Sequence, residues 1–298
     1  MSKTTTIDRG GATAIALGQR VLRFPLTRIV LAIAFFMVPF LLIQGASLHF
    51  LEVKLHSRIG QLLGVVAGCL SYAWYVTRIE KRAVTEWGLA GALGEYSAGF
   101  VLGGLMVCLS VASIAALGGV AAMGWAPGPN LVSPLLMAVT VGVIEEMLLR
   151  GIFFRVVQET VGSWLALAAS GLVFAAMHGG NDNVTALGLA NIAAAGVFFA
   201  AAFLLTGRLW LCAALHAGWN FVQGAIFSLA VSGHDAKQGL LATQLSGPDW
   251  LTGGAFGLEG SAVDLVWIVM ASIVMVVLAH RKGRMVAPAW KRRPPGLV

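Results

Sequence analysis

Six polar side chains stand inside apolar runs where a lipid-facing helix would not tolerate them. Glu145, Glu146 and Arg150 interrupt the run Val141-Gly-Val-Ile-Glu-Glu-Met-Leu-Leu-Arg150. His178 closes Gly171-Leu-Val-Phe-Ala-Ala-Met-His178, and His216 and Asn220 share Leu211-Cys-Ala-Ala-Leu-His-Ala-Gly-Trp-Asn220. A charge at the bilayer centre costs about 2.5–3.5 kcal/mol or more unless it is paired or faces water, so such residues point to function. Helical spacing assigns them roles. Glu146 and Arg150 are four apart, on one face, and can pair. Glu145 is turned by about 100° toward another neighbour. His216 and Asn220 are again four apart and project together.

Two acids, two imidazoles and an amide, with no Ser or Cys partner, suggest water as the nucleophile. Glu145, with or without His178, would take a proton from water and return it to a leaving amine. His216 and Asn220 would donate to the developing oxyanion. An alternative has Glu145, His178 and His216 holding Zn²⁺ with an open position for water. The spacing His-Glu-x-x-His of many zinc proteases is absent, which favours the metal-free version without deciding it. Each residue also has a plain structural role. His178 would cap a helix, His216 with Asn220 would bond across helices, and Glu146–Arg150 would be a bridge. Those roles do not explain why two acids, two histidines and an amide gather at one depth.

The elements that position them are membrane helices. Of 298 residues, 58% are hydrophobic and only 11% charged, well below the roughly one quarter of a soluble domain. Eight apolar stretches read as spans: 28–48, 59–77, 97–121, 131–154, 163–181, 186–206, 209–231 and 262–280. The fold class is therefore all-α, a polytopic membrane protein with about eight transmembrane helices and a polar intramembrane site. Glu145 and His178 lie equally far from the Val161–Gly162 turn, each about 24 Å at 1.5 Å per residue, so an antiparallel pair brings them level.

Lys and Arg set the orientation. Lys3, Arg9, Arg20, Arg23 and Arg28 come first, followed by Arg78, Lys81 and Arg82, then Arg150 and Arg155, then Arg208, and six between Arg281 and Arg293. These 17 fall on one side and Lys54, Arg58 and Lys237 on the other, which places both termini in the cytoplasm of an inner-membrane protein. The organisation is a basic cytoplasmic leader (1–27), a membrane domain (28–281) and a basic, Pro-rich tail (282–298) expected to be disordered. Residues 15–24 suit a short interfacial helix, and the Gly-rich stretch 232–261 an external loop. The net charge of +7 belongs with anionic lipid headgroups rather than nucleic acid. Cys69, Cys108 and Cys212 fall in apolar runs without ligand spacing and read as small core residues.

Glu145-Glu146-x-x-x-Arg150, Phe174-x-x-x-His178 and His216-x-x-x-Asn220, in that order, resemble the motifs of the type II CAAX endopeptidase and bacteriocin-processing (CPBP, or Abi) family over about residues 131–231. The segment from Arg78 to Leu89 also looks like the cytoplasmic stretch before that family's core. The resemblance implies a helical intramembrane peptidase with a cavity open to the cytoplasmic side. By motif position, Glu145 would activate water with His178 its partner, His216 and Asn220 would hold the oxyanion, and Glu146–Arg150 would support them. The substrate implied is a membrane-associated or lipidated peptide. A non-enzymatic immunity or scaffolding protein that keeps the site as a relic is the second reading. A proton-coupled transporter is a third, against which stands the lack of paired Gly or Pro interruptions in the helices.

Overall fold

The computed structural model describes residues 19–50, 54–235 and 238–292. Helix α1 (Pro25–Phe50) is followed by α2 (Lys54–Tyr75), which runs on as a π-helical stretch to Glu80, and by α3 (Ala92–Ala116). Strand β1 (Val120–Trp125) precedes α4, a 30-residue rod from Val132 to Val161 that is π-helical over Met147–Phe154. Then come α5 (Ser163–His178), α6 (Ala186–Thr206), α7 (Leu209–Phe221, continued as a π turn to Ile226), β2 (Leu241–Leu245) and α8 (Ala262–Arg281).

Each expected span has its helix, but they are not equal. Among the described residues α1–α4, α6 and α8 are long and apolar enough to cross a membrane. The α-helical parts of α5 and α7 have 16 and 13 residues. Leu42, Leu93 and Leu172 are exposed on the outside, an arrangement that suits lipid rather than water.

The third span ends at Ala116, short of the expected residue 121. Gly118, at φ +80°, ends α3, and the chain turns into β1. β1 pairs antiparallel with β2, Trp125 opposite Leu241 and Val120 opposite Leu245. The Gly-rich connection 232–261 thus contains a strand rather than being loop throughout. The tail also departs from expectation over its described part. Val286 accepts from the Ser163 amide at 3.0 Å and donates to Ser163 Oγ at 2.8 Å, while Arg292 donates to the Glu159 carbonyl. Gly162, at φ +83°, has Pro288 against it, leaving no room for a side chain. Residues 284–292 are therefore fastened to the α4–α5 turn. Residues 1–18 and 293–298 lie outside the described residues, and with them most of the expected leader; of the expected interfacial stretch 15–24, residues 19–23 are helical.

Helix α7 runs through the middle, buried at nearly every position from Leu209 to Trp219. Small residues let its neighbours approach. A Cβ on Gly99 of α3 would lie 2.7 Å from the Leu211 carbonyl oxygen, and one on Gly142 of α4 would lie 2.8 Å from that of Ala213. A Cβ on Gly103 would overlap the Leu215 carbonyl, and one on Gly218 that of Phe100. Close backbone approach replaces the hydrophobic drive that lipid removes. Gly218→Ala therefore forces α3 and α7 apart and costs about 1–3 kcal/mol. Thermal unfolding in detergent should show this, together with lost activity as His216 and Asn220 shift.

The opposite end of α4 is tied by charge. Arg28, Arg82 and Arg155 interlock with Glu80, Glu86 and Glu159 through ion pairs of 2.6–3.3 Å, joining α1, α2, α4 and the segment after Glu80. Tyr72 adds its hydroxyl to Glu86 at 2.7 Å. Burial works against a charged Glu86, but Arg82 by hydrogen bond and charge, the Tyr72 hydroxyl and Arg155 outweigh it and hold the carboxyl below its ordinary value. A depressed carboxyl contributes stability that is complete above the unfolded pKa and is lost as pH falls through the folded one. Unfolding temperature should thus be flat near neutrality and fall below about pH 4.3, the unfolded glutamate value. Glu86→Gln should lower the plateau by about 1–3 kcal/mol and flatten the acid limb. An unchanged acid limb would show that Glu86 does not carry it.

Candidate active site

Glu146 and Arg150 form the base of the site, both fully buried on α4 with Nη1 2.8 Å from Oε1. Arg150 is held from three further directions. Its Nη2 donates to the Gly196 carbonyl of α6 at 3.0 Å, and its guanidinium lies 4.8 Å from the Phe174 ring centroid and 5.3 Å from that of Phe199. Gly196 can carry no side chain there, since a Cβ would lie 2.8 Å from Gly171 Cα and 2.9 Å from Phe174 Cβ. The π-helical stretch opens directly after Glu146, and such interruptions of regular winding often mark functional positions.

His216 hangs from the same carboxylate. Its Nδ1 lies 3.0 Å from Glu146 Oε1, and its ring stacks on Phe199 at 4.8 Å and 8°. Oε1 therefore receives both Arg150 and His216, which fixes the imidazole and aims Nε2 the other way. Toward Nε2 comes Glu145, Oε2 at 3.9 Å, with its side chain 25% exposed. That separation is too long for a direct hydrogen bond and suits one bridging water. With both acids ionised and Arg150 charged, one further proton among these four groups makes the cluster neutral.

His178, His216 and Asn220 line one cavity that also has Phe174, Phe199 and Trp219 in its walls. Its volume is about 20 Å³, which is room for a water and not for a peptide. His178 Nδ1 donates to the Phe174 carbonyl at 2.8 Å, leaving Nε2 for other partners. The expected direct partnership of Glu145 with His178 is not formed. The imidazole nearest to Glu145 is His216, because α4 and α7 meet closely at Gly142 while His178 is drawn back onto its own helix. Among the described residues no three His, Cys, Asp or Glu side chains are gathered as a metal ion would need. The alternative set Glu145, His178 and His216 is thus not assembled in this conformation.

Four polar residues of the cavity were not anticipated: Asn191, Ser232, Glu259 and Asp264. Asn191 and Asp264 stand in apolar helical runs and carry the same signal that singled out Glu145. Ser232 and Glu259 belong to the connection between α7 and α8 and carry none. Glu259 accepts from the Ser232 amide at 2.6 Å, the Ser232 hydroxyl at 3.2 Å and Gln223 Nε2 at 3.1 Å. It thereby pins that connection over the cavity. Burial outweighs those bonds and pushes its carboxyl above the usual range. Asp264 accepts from Ser110 of α3 at 2.6 Å.

Residues 127–222 match the family model described as type II CAAX prenyl endopeptidase Rce1-like. The match supports a CPBP-family membrane peptidase. The matched stretch runs from just before α4 to the end of α7, so it includes Glu145, Glu146, Arg150, His178, His216 and Asn220. Ser232, Glu259 and Asp264, which also line the cavity, lie outside the matched stretch. No curated protein and no solved structure matches the chain.

Proposed function

We propose that the protein hydrolyses a peptide bond in a membrane-associated or lipidated peptide, with Glu145 as the general base. The observation that carries this is the disposition of His216, anchored through Nδ1 on Glu146 and facing Glu145 through Nε2. A water between Glu145 Oε2 and His216 Nε2 loses a proton to Glu145 as its oxygen attacks the scissile carbonyl carbon. An imidazolium at His216 balances the second carboxylate and donates from Nε2 to the oxyanion, joined by the Asn220 amide. The tetrahedral species then breaks its C–N bond while Glu145 passes the proton to the leaving nitrogen, giving one carboxyl and one amine. His178 Nε2, across the cavity, assists that transfer. Glu146 and Arg150 do not react; they hold His216 in place.

The test is cleavage of a library of membrane-associated peptides by purified protein in lipid vesicles, in ¹⁸O-labelled water, with and without chelator. Glutamate-dependent hydrolysis puts one label in the new carboxyl and is indifferent to chelator. Loss on chelation moves the chemistry to a metal, and a folded protein that cuts nothing supports the immunity or scaffolding role instead.

A further inference from the structure

The antiparallel helices sort every connection onto one of two faces. One face holds the start of α1, the α2–α3 segment, the α4–α5 turn, the α6–α7 turn and the end of α8. The other holds the end of α1, the start of α2, the β1–β2 pair, residues 179–185 and the described part of the α7–α8 connection. Lys and Arg crowd the first face. Among the described residues the second has only Lys54 and Arg58. Such a bias makes the first face cytoplasmic. The pairing of Arg28, Arg82 and Arg155 with glutamates does not weaken it, because acidic residues contribute little to the rule.

The cavity lies toward the second face. His178 is the last residue of α5, Asp264 is in the first turn of α8, and Ser232 and Glu259 come from the α7–α8 connection. Toward the cytoplasmic face the way is filled by Arg150, Phe154, Phe203, Leu209 and Cys212, all buried, with Phe154 and Phe203 edge to face at 6.0 Å.

Building on the peptidase reading, we infer that the site is served from the extracytoplasmic side, and that its substrate is a segment of an exported or membrane-anchored polypeptide at the outer surface. A cytosolic C-terminal tail, the client implied by a cavity open to the cytoplasm, would meet the closed end. The route from the outer surface passes Ser232 and Glu259, both outside the stretch that matches the family. The substrate must therefore be delivered by a reaction that moves polypeptide across the membrane, and cleavage follows that translocation.

Cysteine labelling of the full chain in intact cells tests this without needing turnover. In a background with Cys69, Cys108 and Cys212 replaced, single cysteines go in by Gly180→Cys and Lys282→Cys. Gly180 is exposed beside His178 with nothing within 4 Å of a new Cβ, and Lys282 is exposed at the end of α8. A membrane-impermeant maleimide should label the first at least tenfold faster than the second, which reacts fully only after permeabilisation. His178→Cys should follow the first. The proposal falls if Lys282→Cys is the one labelled in intact cells, or if His178→Cys reacts only once the cytoplasmic face is opened. Either result leaves the peptidase reading to its own assay, since labelling reports sidedness whether or not the protein cleaves anything.

Discussion

Glu145→Gln leaves the protein folded and lowers kcat by about 10²–10⁴-fold, the usual contribution of a positioned general base. The amide keeps the shape and a hydrogen-bonding oxygen but cannot take the proton from water. Stability should change by less than about 0.5 kcal/mol, the ordinary range for a replacement that disturbs no packed network. The reason is local: Glu145 Oε2 is 3.9 Å from His216 and makes no direct hydrogen bond. KM should stay near that of the wild type, because the base acts on water rather than on substrate. Cleavage rates and thermal unfolding measured on one preparation separate the two effects. A variant within tenfold of wild-type kcat would remove Glu145 from the role of base.

Arg150→Met should do the reverse, acting first on the fold. Arg150 and Glu146 are both fully buried, and loss of one partner strands the other charge at a cost of about 3–5 kcal/mol. His216 then shares its anchor with nothing, and the two aromatic rings against the guanidinium lose their cation. Accumulation in membranes and the unfolding temperature should both fall. The double variant Glu146→Leu with Arg150→Met removes both charges together and should recover most of the stability, yet remain inactive because His216 no longer has a carboxylate to hold it. If the double variant is as unstable as the single, the pair is not the source of the loss. If it is active, Glu146 does not position His216.

The readable part of this site is the part that helical geometry decides locally. Glu146 and Arg150 pair because they are four residues apart on α4, and His216 and Asn220 line up on α7 for the same reason. What joins α4 to α7 is different. Glu145 meets His216, not His178, because glycines at 142 and 218 let α7 sit close to its neighbours, a contact that no local spacing announces. Asn191 and Asp264 were legible as polar residues in apolar helices, but their place in the cavity depends on the packing of α6 and α8. Glu259 was not legible, since in a Gly-rich connection an acid is ordinary until Ser232 and Gln223 are found bound to it. Likewise the basic, Pro-rich composition of the tail suggested disorder. Its docking rests on Ser163, on the Glu159 carbonyl and on a glycine turn between two other helices.

The glycine seam around α7 makes that helix the stator of the site. A helix whose backbone touches that of α3 at Gly103 and Gly218 has no slack to slide or tilt, so His216 and Asn220 keep their places throughout a catalytic cycle. On the peptidase reading, any widening of the cavity for a peptide therefore falls to walls outside this seam.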